Sequence, residues 1–130
     1  MLPLILRELD ADCLNPIERN GCNDIFEIRR EYPDKLLFGN VCCARTLPYG
    51  SLADVEDETL EIIERIGPQG GILIGSSSEV HDLVPPENAV KMYATVNEYG
   101  TYPLNIDRIR TRRAELVNEK CRRGGFGKGC

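Results

Sequence analysis

Apolar residues along this chain alternate between two patterns, a three-to-four spacing and short unbroken runs, with polar or glycine and proline breaks between them. Residues 2–10 set Leu2, Ile5, Leu6 and Leu9 on one face of a helix. The run 13–17 is short and apolar and meets Pro16, as a buried strand does at its end. From Asp24, the phrase DIFEIRREYPD puts Ile25 and Ile28 on one side, and Pro33 closes that helix. Residues 35–41, KLLFGNV, predict a second strand, and 46–51, with Pro48 and Gly50, a loop. A long helix follows, with Ser51 as its N-cap, Leu60, Ile63 and Ile66 on one stripe, and Asp54, Glu56, Asp57 and Glu58 at the positive end of its dipole. Gly67, Pro68, Gly70 and Gly71 end it before a third strand at 72–74. Pro86 opens another helix that runs to Gly100, and a last amphipathic helix spans 106–120 before the tail GGFGKGC.

Helices and strands alternating with long connections imply an α/β fold with parallel strands and outer helices. Three such strands leave one face and two edges of the sheet uncovered, so the unit reads as part of a larger one. The net charge of −5 over 130 residues argues against a nucleic-acid surface, which needs clustered cations. The basic residues Arg108, Arg110, Arg112, Arg113, Lys120, Arg122 and Arg123 read as a solvated helix face. No apolar run of ~20 residues exists to span a membrane, and Glu8 and Asp10 follow the apolar start too soon for a signal peptide. The six cysteines lie in an α/β pattern instead of a small stapled scaffold, which fits reduced thiols and a cytoplasmic location.

Polar side chains gather where each strand ends, the edge on which parallel α/β folds build their sites. Asn15 and Glu18 follow the first strand, Asn40, Cys42 and Cys43 the second, and Ser76, Ser77, Ser78 and His81 the third. A shared pocket is the functional reading; turn chemistry is the alternative for Asn15 and Asn40, and solvent exposure for His81. Strand alternation allows only one of Cys42 and Cys43 to face the pocket. Cys43 with His81 is the candidate soft-ligand pair, set against inert burial of the thiol, and a catalytic zinc needs about three protein ligands. Arg45 is placed to clamp a substrate carboxylate or to form a surface ion pair, and Glu87 is a first-turn acid.

Read together, CLNPIE, EYPDKLLFGNV, RTLPYGSLADV, GPQGGILIG, VPPENAVKMY and EYGTYP resemble, in order and spacing, the uroporphyrinogen decarboxylase family over residues 1–103. The resemblance implies the C-terminal three βα units of a (β/α)8 TIM barrel, with 104–130 as a C-terminal helix and glycine-rich tail beyond it. Family members are either cofactor-free decarboxylases of uroporphyrinogen side chains or zinc-dependent methyltransferases that work with corrinoid carriers. Ser78 occupies the position where the decarboxylases carry a histidine and the methyltransferases a zinc-binding cysteine. The expectation is therefore the rim of a site for a carboxylated or methylated small molecule, inactive in isolation. Ser78 and His81 are its catalytic candidates, with Asn15, Glu18, Asn40, Arg45, Ser76 and Ser77 binding substrate and Cys43 available to a metal. The partner is the missing N-terminal part of the barrel or a second copy; a non-catalytic assembly module is the rival reading.

Overall fold

The computed structural model describes residues 4–18 and 23–122. Residues 123–130, with Arg123 and the whole of the expected glycine-rich tail, lie outside the described residues, as do Leu2 and the side chains of Cys121 and Arg122. Strands β1 (Cys13–Leu14), β2 (Leu36–Val41) and β3 (Ile72–Ser76) form one parallel sheet in the order β1-β2-β3. Cys13 pairs with Leu36, and Phe38, Asn40 and Val41 pair with Leu73, Gly75 and Ser76. Helices α1 (Ile25–Glu31), α2 (Thr46–Tyr49), α3 (Leu52–Ile66), α4 (Pro86–Tyr99) and α5 (Ile106–Arg122) complete the unit. The α/β class with parallel strands is thus present as expected.

Local chemistry explains most boundaries. Asp24 caps α1 by accepting the Phe26 N–H at 2.8 Å. Ser51 and Asp54 form a reciprocal capping box on α3, the Ser51 hydroxyl accepting the Asp54 N–H at 3.3 Å and the Asp54 carboxylate accepting the Ser51 N–H at 2.9 Å. Such a cap contributes about 1 kcal/mol. Three expectations are corrected. Residues 4–8 form a wide helical turn, closed by the Leu9 N–H on the Leu4 carbonyl at 3.0 Å; it buries Leu6 and leaves Leu9 in solvent. Residues 46–49, expected as loop, make one helical turn ended by the Gly50 N–H on the Thr46 carbonyl at 2.9 Å. Pro48 is tolerated there because its missing N–H falls in the first turn, where no partner is needed.

The third correction concerns α5. Ile109 and Leu116 pack on Leu60 and Ile63 of α3, which draws the basic side chains over the acids of α3. Arg112 reaches both Glu56 oxygens, at 2.7 and 3.1 Å, and Arg113 bonds Asp57 at 3.0 Å and Glu64 at 2.6 Å. Lys120 bonds Asp57 at 2.8 Å, Arg110 bonds Glu64 at 2.9 Å, and Arg108 pairs with Glu98 of α4. The arginine-rich face is a seam between helices. Of the four early acids of α3, only Asp54 serves the helix start.

The main core lies on one side of the sheet, where Leu37 and Val41 of β2 meet Ile25 and Ile28 of α1 and Ile62 and Ile66 of α3. The opposite face is left exposed among the described residues. Leu36, Phe38 and Leu73 remain 45%, 37% and 53% exposed there, next to the free thiol of Cys13.

Candidate functional site

Beyond the C-terminal ends of the three strands, the chain gathers Glu18, Asn40, Cys42, Cys43, Ser77 and His81, all of which the sequence placed at this edge. Glu18, half-buried four residues past β1, is the centre. Its carboxylate accepts the Ser77 hydroxyl at 2.5 Å, the Cys43 thiol at 3.4 Å and the Cys42 thiol at 3.6 Å. Ser77 is fully buried, and its oxygen also accepts the Cys43 N–H at 2.9 Å, so one hydroxyl ties the exits of all three strands. A hydrogen bond to a carboxylate is about twice as strong as a neutral one, so Ser77 holds Glu18 in place against the ends of β2 and β3.

Both thiols point at Glu18, against the expectation that only one would face the site. The cause is the backbone. Gly39 and Asn40 have φ of +91° and +101°, and the strand ends at Val41, so period-two alternation no longer governs residues 42 and 43. Gly39 is required at its position, because an added Cβ would stand 3.0 Å from the Ser76 carbonyl oxygen. Asn40 is a non-glycine residue held in left-handed space, a costly conformation that a surrounding structure must enforce. Its side-chain N–H2 donates to the Ile17 carbonyl at 3.3 Å, and its Oδ1 is buried without a partner.

His81 is exposed and lies over the cluster on the loop after β3. Its Nε2 is 3.0 Å from the Cys43 carbonyl oxygen, and its Nδ1 accepts the Leu83 N–H at 3.3 Å. With Nδ1 accepting, the proton belongs on Nε2, which donates to Cys43; the tautomer is assigned by these partners. Burial pushes the Cys42 thiol up from its ordinary value, and the charges of Glu18 and Glu58 add to the shift, outweighing backbone hydrogen bonds that act the other way. Cys42 donates its thiol hydrogen to Glu18, and the upward shift disfavours its thiolate.

No family model, curated protein or solved structure matches the chain. The site is therefore judged on its own geometry. Glu18, Ser77, His81, Cys43 and the buried Asn40 are brought together. Ser78 points into solvent, one residue too far along the loop to share the Ser77 contacts, and Asn15 is exposed. Ser76 is half-buried with an unpartnered hydroxyl, on the opposite side of β3 from Gly75 and paired with Val41. Arg45 stands at the start of α2, where its carbonyl accepts the Tyr49 N–H. Cys42 was expected at this edge, whereas Glu58, read as an early acid of the long helix, reaches the site by accepting the Cys42 N–H at 2.9 Å. Only its three-dimensional neighbourhood marks Glu58 as part of the site.

Both ring nitrogens of His81 are engaged by backbone groups, and among the described residues no group of three or more His, Cys, Asp or Glu side chains is placed to hold a metal. Among the described residues no helix is long and apolar enough to cross a membrane. What the arrangement offers is a carboxylate held by one hydroxyl and two thiols, a rigid acceptor for a polar substrate group, with an imidazole at its mouth.

Proposed function

We propose that this chain is the C-terminal part of a uroporphyrinogen decarboxylase-like barrel and supplies one side of a site for a small carboxylated or methylated molecule. The observation that supports it is the convergence of Glu18, Cys43, Ser77 and His81 at the C-terminal edge of three parallel strands whose other face is apolar and uncovered. In a closed barrel that bare face would line the packed interior, and the polar edge would be the functional rim. Glu18 and His81 are the groups proposed to meet substrate, with Ser77 positioning Glu18; Arg45 and Asn40 remain candidates to bind it. This part alone is expected to have no decarboxylase activity in a cytoplasmic setting, because most of the rim belongs to the absent strands. A zinc- and corrinoid-dependent methyl transfer is the second reading, favoured by the two thiols on Glu18, and it needs metal ligands from outside the described residues.

The test is to read the coding sequence that precedes Met1 and to express the longer frame. The proposal requires further βα units there, and turnover of uroporphyrinogen that falls at least about tenfold in Glu18→Gln, the loss of roughly one charged hydrogen bond. A stop codon directly before Met1, together with a 130-residue chain that sediments as a compact monomer and melts cooperatively, overturns it.

A further inference from the structure

At the opposite end of the sheet, where β2 and β3 begin, lies a cleft of about 450 Å³ between α1 and the end of α3. Phe26, Pro33 and Ile66 give it apolar walls, and its charged lining is Arg29, Arg30 and Arg65, with no carboxylate. Three cations around one cleft are unexpected in a chain of net charge −5.

Arg29 is the least ordinary of them. It is 3% exposed, and its guanidinium donates to the carbonyls of Pro33 at 2.8 Å, Lys35 at 2.9 Å and Gly71 at 2.6 Å. Its Nε is buried without a partner, and among the described residues no carboxylate lies within ion-pair distance of it. Burial draws its pKa down, opposed by the charge of Asp34. The three carbonyl bonds explain Arg29 as a clamp on the strand starts. They do not explain its neighbours. Arg65 stacks on the Phe26 ring, 3.4 Å from its centroid, and bonds Glu61 at 3.1 Å, while Arg30 meets Glu27 only at 3.7 Å. Both guanidinia keep solvent-accessible faces and donors beside an aromatic surface. A buried positive charge held by three carbonyls and no contacting carboxylate, with two part-exposed guanidinia around it, favours an anion by Coulomb attraction in a partly desolvated setting.

We propose that this cleft binds a small organic anion, an oxyanion head seated on Arg30 and Arg65 and a flat apolar body against Phe26 and Ile66. The site is separate from the Glu18 cluster and does not depend on the barrel reading. The experiment titrates the folded chain with phenyl phosphate and with benzoate, following amide shifts by NMR. Binding of either probe at roughly millimolar affinity or tighter, with shifts centred on Phe26 and Ile66, is the expected result; whichever probe binds better identifies the head group. Arg65→Gln and Arg30→Gln leave the Arg29 clamp intact, and each is expected to weaken binding about tenfold. Failure of both probes to bind overturns the proposal, as does binding that both variants leave unchanged.

Discussion

Replacing Ser77 by alanine removes the hydroxyl that joins the three strand exits. In the folded chain that oxygen donates to Glu18 at 2.5 Å and accepts from the Cys43 N–H at 2.9 Å, and the residue is 0% exposed. A hydrogen bond to a charged group contributes about 1.5–3 kcal/mol, and a buried N–H left without an acceptor costs about 1–3 kcal/mol. The two effects share one oxygen and do not simply add, so the expected loss is about 3 kcal/mol. Set against a usual total of about 5–15 kcal/mol, the variant should still fold. With a urea slope of about 2 kcal/mol per molar, the unfolding midpoint should fall by about 1.5 M. Ser78→Ala is the internal control, because its side chain is exposed and its loss should stay within about 0.5 kcal/mol. Equal midpoints for the two variants, or a larger drop for Ser78→Ala, would refute the assignment of Ser77 as the positioning group.

Other consequences follow from the charge seam, the thiols and the turn before β3. Burial alone would raise Glu56, but hydrogen bonds from Arg112 and Lys91 outweigh it and hold the carboxyl below its ordinary 4.5; Glu64 behaves likewise with Arg113 and Arg110. A depressed folded-state pKa stabilises fully above the unfolded value and is lost as pH falls through the folded one. The melting temperature should thus drop as pH is lowered below about 4.5, and Glu56→Gln should flatten that slope in calorimetry. Alkylation at pH 7 should modify Cys13, which is exposed, well before Cys42, which is buried with a raised pKa; mass spectrometry showing Cys42 labelled first would contradict the site geometry. Gly71→Ala should cost about 1–2 kcal/mol in a denaturation curve, since φ is +66° and the new methyl would sit 3.1 Å from the Arg29 guanidinium.

How far the residues foretold the fold depends on the range of each interaction. Ser51 as a cap, the glycine break at 67–71 and Pro86 at a helix start were legible because each acts within a turn of itself. The parallel strands were legible from alternation with helices. The α5 seam was not, because Arg112 meets Glu56 across 56 residues and only the packing of Ile109 and Leu116 brings them together. At the site, the strand-end rule located the right edge, while the right serine needed geometry: Ser77 and Ser78 are alike in composition, and the turn after β3 buries one and exposes the other. The facing of both thiols was hidden by two consecutive positive φ values that no residue pattern announces at Asn40.

The exposed sheet face offers a test of the proposed barrel. Leu36, Phe38 and Leu73 are each about half exposed, so covering them gains about 1 kcal/mol apiece, from the roughly 1.5–3 kcal/mol of a full burial. Two copies meeting through this face alone would gain about 6 kcal/mol, which barely offsets the about 4–15 kcal/mol cost of association. Further strands of the same chain lose no translational freedom and also pair the open edges of β1 and β3. Phe38→Lys separates the cases. In the 130-residue chain the side chain is already 37% exposed, so the exchange should cost only about 1–2 kcal/mol. In a longer frame that closes a barrel, the same lysine would be forced among interior side chains, and a loss of several kcal/mol is expected there. An equally small loss in both would mean that nothing packs on this face, and the rim at Glu18 would have to act without the rest of a barrel around it.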